Sequence, residues 1–177
     1  MRLQADATPT LAHAASALVE ERLDAGGAVR FTIPTASMWP TLAPGDGVLV
    51  RGVQADELRV GDIIIGKWGE GWRAHRLIEC RREAAQTLLV TQGDHCGVAD
   101  EAWSASQLVG VIVAVRRGER VLNLQSARAR RIGAGLAFLL RSQNAAQRAP
   151  GGLPRRVALK GLRVLVRASA WLARWVS

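Results

Sequence analysis

Residues 62–80 read Asp62-Ile63-Ile64-Ile65-Gly66-Lys67-Trp68, then Gly69-Glu70-Gly71, then Trp72-Arg73-Ala74-His75-Arg76-Leu77-Ile78-Glu79-Cys80. Two runs rich in β-branched and aromatic residues on either side of a glycine-rich turn are the pattern of a β-hairpin. Similar short runs recur outward from it at 29–33, 47–51, 87–92, 109–115 and 120–124, separated by Gly, Pro and Asp. Arg116-Arg117-Gly118-Glu119 reads as a second hairpin turn. Seven short strands in about 95 residues predict a mainly β domain over 29–125.

The flanks read differently. Within residues 1–28, Leu11, Ala15, Leu18 and Val19 recur at helical spacing over 9–24, and Gly26-Gly27 stops that helix. After Leu124 the composition turns to Arg, Ala and Leu, so 126–177 reads as a basic helical tail with a break at 149–154. Over 155–176, Arg156, Lys160, Arg163, Arg167 and Arg174 fall on one helical face, and Val157, Val164, Ala168, Trp171 and Trp175 on another. Such a basic amphipathic helix suits an anionic membrane surface. The alternative, equally open, is a helix that docks its apolar stripe on the β domain.

The 177 residues hold 24 Lys+Arg and 15 Asp+Glu, a formal charge of +9, and 49% are hydrophobic, a composition that excludes a wholly disordered chain. The charge is divided unevenly: through residue 115 there are 10 basic and 14 acidic residues, and from 116 onward 14 and 1. The basicity belongs to the tail. Nucleic acid is a poor partner for it, because the tail's tryptophans sit on the apolar face instead of interleaving with the arginines. No apolar run approaches the roughly 18–20 residues of a membrane span. The N-terminal residues lack the compact apolar block of a secretory signal, so a cytoplasmic location is expected, with peripheral attachment to the inner face of a membrane through 126–177. Two cysteines, Cys80 and Cys96, are too few for a disulfide framework.

Three constellations carry chemistry. In Thr35-Ala36-Ser37-Met38-Trp39-Pro40-Thr41-Leu42, followed by Pro44-Gly45-Asp46, Ser37 stands in a turn just before a strand. A serine hydroxyl becomes a nucleophile only with a base beside it. His75, on the return strand of the hairpin, is that base candidate, since an imidazole titrates near 6.5; His13 falls in the N-terminal helix. Gly93-Asp94-His95-Cys96-Gly97-Val98-Ala99-Asp100 forms a turn with two carboxylates, either of which could orient the imidazole and stabilise its cation. Asp94, His95, Cys96 and Asp100 are also conceivable metal ligands, but their spacing matches no recognised site. An ordinary Gly-Asp turn that caps backbone amides is the plainer alternative.

In this order the motifs resemble the S24/S26 peptidase superfamily, and within it the signal peptidase I branch, over about residues 29–116. Ser37-Met38 with Pro40-Thr41-Leu42 and Gly45-Asp46 is similar to the nucleophile box. Gly61-Asp62-Ile63-Ile64 is similar to the Gly-Asp-Ile-Val strand, His75-Arg76-Leu77-Ile78 to the third box, and Gly93-Asp94 with Asp100 to the last. A histidine at the base position resembles the archaeal and endoplasmic-reticulum type, in which the more usual lysine is replaced; the usual N-terminal membrane anchor has no counterpart in this sequence. The resemblance implies a β fold of the LexA and signal peptidase type. It implies a serine endopeptidase acting on a protein or precursor peptide through an acyl-enzyme, with no metal or organic cofactor. Ser37 would be the nucleophile, His75 the general base and Asp100 the orienting carboxylate, with Asp94 in support. Thr35 and the backbone N–H of Ser37 would stabilise the oxyanion. A catalytically inactive module that holds a peptide in the same groove is the alternative. A self-cleaving repressor would need a DNA-binding domain, which a single helix within residues 1–28 does not supply.

Overall fold

The computed structural model describes residues 11–69, 71–84 and 86–148; the amphipathic helix expected over 155–176 lies outside them. The expected mainly β architecture is present: a curled antiparallel sheet of half-barrel form, with a short helix before it and a longer one after it. The first helix, α1, is Leu11–Asp24, and it ends as Gly26 turns to φ 73°. The strands are β1 Ala28–Thr32, β2 Gly47–Arg51, β3 Ile63–Trp68, β4 Gly71–Glu83, β5 Gln86–Gln92, β6 Trp103–Ser104, β7 Leu108–Arg117 and β8 Arg120–Asn123. The second helix, α2, is Ala127–Arg148.

Seven strands follow the order β1-β2-β7-β3-β4-β5-β6, and β8 folds back on β7. The eighth strand, β6, was not expected, because two residues are too few to show alternation. It exists because Leu88 and Leu89 of β5 pair with Ser104 and Trp103.

The hairpin of residues 62–80 is β3–β4, with Ile64 opposite His75 and Ile63 opposite Arg76. Successive strand residues point to opposite faces, so β4 delivers His75 to one side of the sheet and Arg76 to the other. Four consecutive residues, His75, Arg76, Leu77 and Ile78, are buried because both faces are covered there. On one face Leu77 packs with Ile64, Leu89, Trp103 and Val111. On the other Ile78 and Val90 pack against Leu136, Ala137 and Leu140 of α2.

Helix α2 starts where the Ser126 hydroxyl caps the Ala129 amide. Its buried residues Gly133, Leu136, Ala137, Leu140, Gln143 and Asn144 follow helical spacing along one stripe. Each leucine in that stripe contributes about 1.5–3 kcal/mol by leaving water. The start of the segment read as a basic tail therefore docks on the sheet, while Arg128, Arg131, Arg141 and Arg148 stay exposed. Docking is close at Gly61, whose φ is +105° and where an added Cβ would lie 2.5 Å from Ala134 N and Gly133 C. Only glycine fits the turn into β3 on both counts. Among the described residues no helix is long and apolar enough to cross a membrane.

Candidate functional site

Ser37 lies in the loop between β1 and β2. That loop is pinned by Met38 and Leu42, which are 1% and 0% exposed in the core beneath it, and by the Leu42 amide donating to the Met38 carbonyl at 2.9 Å. Ser37 is left half-buried and Thr35 exposed. At the loop's end Asp46 accepts from the Ala43 amide at 2.8 Å and from the Arg117 guanidinium. A second tie comes from the turn after β5, where the His95 amide donates to the Ser37 carbonyl at 2.9 Å. Trp39, joined to Pro40 by a cis peptide bond, meets the His95 ring edge-on.

Ser37, Thr35, His75, Asp100 and Cys96 line one groove of about 730 Å³, whose other walls include Phe31, Ile33, Met38 and Trp72. His75 is 6% exposed and its Nδ1 lies 2.6 Å from Asp100 Oδ2. Its Nε2 faces Gly93, where an added Cβ would be 3.0 Å from that nitrogen, 2.6 Å from the Ser37 carbonyl and 2.7 Å from Cys96 Sγ. Gly93 is thus the point at which His75, the Ser37 loop and the turn after β5 converge. The Ser37 hydroxyl makes no hydrogen bond among the described residues; in substrate-free enzymes such contacts often close only when substrate is bound.

Burial alone would raise the Asp100 carboxyl, but hydrogen bonds from His75 and Thr91 and the charge of Arg73 outweigh it and hold Asp100 below the usual carboxylate range. An ionised Asp100 accepts a proton bond from Nδ1–H, which leaves the Nε2 lone pair directed toward Gly93 and the Ser37 loop. Cys96 lines the same groove. Burial, then the charge of Asp100, pushes its thiol up, and a thiol is far less nucleophilic than a thiolate. Both cysteines are free.

Asp94 does not touch His75. It faces the opposite side of the sheet and accepts Arg76 Nε at 2.7 Å and Nη2 at 2.6 Å in a two-pronged pair, with side chains 0% and 3% exposed. Arg76 Nη1 also donates to the Gly61 carbonyl at 2.7 Å, and Thr41 Oγ1 donates to Asp94 Oδ2 at 2.5 Å. The supporting role read for Asp94 is therefore structural: Arg76 and Asp94 join the Ser37 loop, the turn into β3 and the turn after β5. With Asp94 committed to Arg76 and Asp100 to His75, the conceivable metal set Asp94, His95, Cys96 and Asp100 does not converge, and no group of three or more His, Cys, Asp or Glu among the described residues is placed to hold a metal.

Sequence reasoning also missed the polar end of α2. Gln143 and Gln147 donate to the Gly97 carbonyl at 2.9 and 2.7 Å, and Asn144 donates to Gln92 Oε1 at 2.7 Å. Gln92 in turn donates to the Cys96 carbonyl at 2.9 Å. Helix α2 thereby grips the turn that carries Asp94 and Asp100. Its amides at helical spacing beside a leucine stripe were the available signal.

Gly93→Ala is expected to cost about 1–3 kcal/mol by overpacking and to lower activity, because the methyl group lands among Ser37, Cys96 and His75. Gly97→Ala, where an added Cβ meets nothing within 4 Å, is the matched control. Thermal unfolding and turnover of the two variants check this, and equal behaviour would remove Gly93 from the site.

Compared with family models and with curated proteins, the chain matches none.

Proposed function

We propose that the protein is a serine endopeptidase of the signal peptidase I-like type, within the S24/S26 superfamily. The observation that carries this reading is the 2.6 Å bond from His75 Nδ1 to Asp100, with the opposite imidazole nitrogen turned toward the loop of Ser37 in one groove. In the proposed reaction Ser37 Oγ gives its proton to His75 Nε2 and attacks the scissile carbonyl. The oxyanion that forms is met by the Ser37 backbone N–H and the Thr35 hydroxyl; a donor of this kind is commonly worth about 2.7–4 kcal/mol. His75 passes its proton to the leaving amine, and water then hydrolyses the acyl-enzyme with the same histidine as base.

The substrate is a protein or precursor peptide lying in the apolar groove. Location in the cytoplasm, with peripheral attachment to an anionic membrane surface through residues 126–177, accompanies this reading. It draws support from the exposure of Arg128, Arg131, Arg141 and Arg148 on one helix.

A serine-reactive phosphonate probe tests the chemistry. Labelling is expected in the full chain, and it should be lost in both Ser37→Ala and His75→Ala. Labelling that survives either substitution would refute the mechanism. A folded protein that is never labelled but retains peptides would point to the inactive binding module.

A further inference from the structure

We infer that Thr91 and Trp103 are positioning residues, a buried donor relay that fixes the Asp100 carboxylate against His75; the inference rests on the peptidase reading and deepens it. Thr91 holds Asp100 twice. Its carbonyl accepts the Asp100 amide at 2.8 Å, and its hydroxyl donates to Asp100 Oδ2 at 2.7 Å, the same oxygen that meets His75 Nδ1. Behind it, Trp103 Nε1 donates to Thr91 Oγ1 at 3.1 Å.

An indole nitrogen is only a donor, so Trp103 occupies an acceptor site of Thr91, and the hydroxyl proton is turned away from the indole onto Asp100. Both donors are shielded from water, with Thr91 2% and Trp103 7% exposed. The indole in turn has a fixed seat over Gly66, where an added Cβ would come within 2.5 Å of the ring. On the other side of the carboxylate, Arg73 donates to Oδ1 at 3.1 Å while its guanidinium stacks 3.7 Å over Trp68. Among the described residues, the partners of the Asp100 carboxylate besides His75 are the donors Thr91 and Arg73. A carboxylate in that setting stays an acceptor, so the imidazole proton is kept on Nδ1.

The strand register makes this possible. Thr91 pairs with Leu77 and Trp103 with Leu89, which puts His75, Thr91 and Trp103 on one face of the sheet. The two-residue strand β6 thus has a purpose beyond packing: it carries the outermost donor of the relay.

The test compares Thr91→Val, Thr91→Ser, Trp103→Phe and the Thr91→Val/Trp103→Phe double variant of the full chain. Two readouts are used: kcat/KM, or the rate of phosphonate labelling, and the solvent exchange of the His75 Nδ1–H proton by NMR. Thr91→Val should lower activity about tenfold or more, as expected for losing a hydrogen bond to a charged group, and should speed the exchange. Thr91→Ser restores most of both. Trp103→Phe has a smaller effect of the same kind and adds nothing when Thr91 is already Val, because the indole acts only through that hydroxyl. Additive losses in the double variant, or wild-type exchange in Thr91→Val, would overturn the relay. The exchange readout needs no substrate, so an inactive protein with the expected exchange pattern overturns the peptidase reading alone.

Discussion

Asp100→Asn is expected to slow turnover and phosphonate labelling by about 10⁴-fold while leaving the fold intact, the scale found when a triad carboxylate becomes an amide. The reason lies in the donors around this group. Arg73 meets Oδ1, and Thr91 and His75 meet Oδ2. An amide offers one oxygen in place of two. The guanidinium charge keeps that oxygen on its own side, which turns the NH₂ onto Nδ1. The imidazole must then accept at Nδ1 and carry its proton on Nε2, where it has no lone pair for the Ser37 proton. The variant should also lose stability with a defined pH dependence. A carboxyl held below its unfolded value near 3.9 stabilises the fold above that pH, and the contribution disappears as pH falls through the lower, folded value. Wild type and variant should thus differ in melting temperature near neutrality and converge in strong acid. A variant that turns over at the wild-type rate would remove Asp100 from the proposed triad.

How much of this was legible in the chain depends on whether the information is local. The β3–β4 hairpin was readable because alternation and a glycine turn are properties of consecutive residues, and Ser37 and His75 stood out only as a candidate nucleophile and a candidate base in ordered motifs. Asp94 and Asp100 were inseparable by sequence. Both sit in one short turn, and what divides them is which face of the sheet each meets: Arg76 on one, His75 on the other. Neighbouring residues of β4 point in opposite directions, so the partner of each aspartate follows from strand geometry once register is known. Thr91 and Trp103 gave no signal at all, because their connection is made across β5 and β6 and not along either strand. The docking of α2 was hidden for a related reason. Its turn to Arg, Ala and Leu was visible, but the cleft over Ile78 and Val90 that receives it is assembled from two other strands.

Arg76→Met is expected to destabilise the protein by about 3–5 kcal/mol, the cost of leaving a buried carboxylate without its partner, or roughly 6–20 °C in melting temperature for a chain of this size. Methionine retains much of the stem's volume, so the loss falls on the charge and the fork of hydrogen bonds. Asp94, with a side chain 0% exposed, would keep the Thr41 hydroxyl as a donor and lose both prongs from Arg76. The Gly61 carbonyl would lose its donor in the same substitution. Removing both charges tests the assignment: Arg76→Met with Asp94→Leu should be less destabilised than Arg76→Met alone, since two apolar side chains leave no uncompensated ion. Thermal unfolding of the three proteins reads the comparison, and simple additivity would mean the pair is not the buried unit described here. Activity should separate from stability in the double variant. A refilled core can restore the melting temperature, but it cannot restore the directed bonds by which Arg76 aligns the turn at Gly61 with Thr41 and with the turn that carries Asp100. The double variant should therefore fold and still label slowly, because the arginine on the far face of β4 sets the register of the groove on the near one.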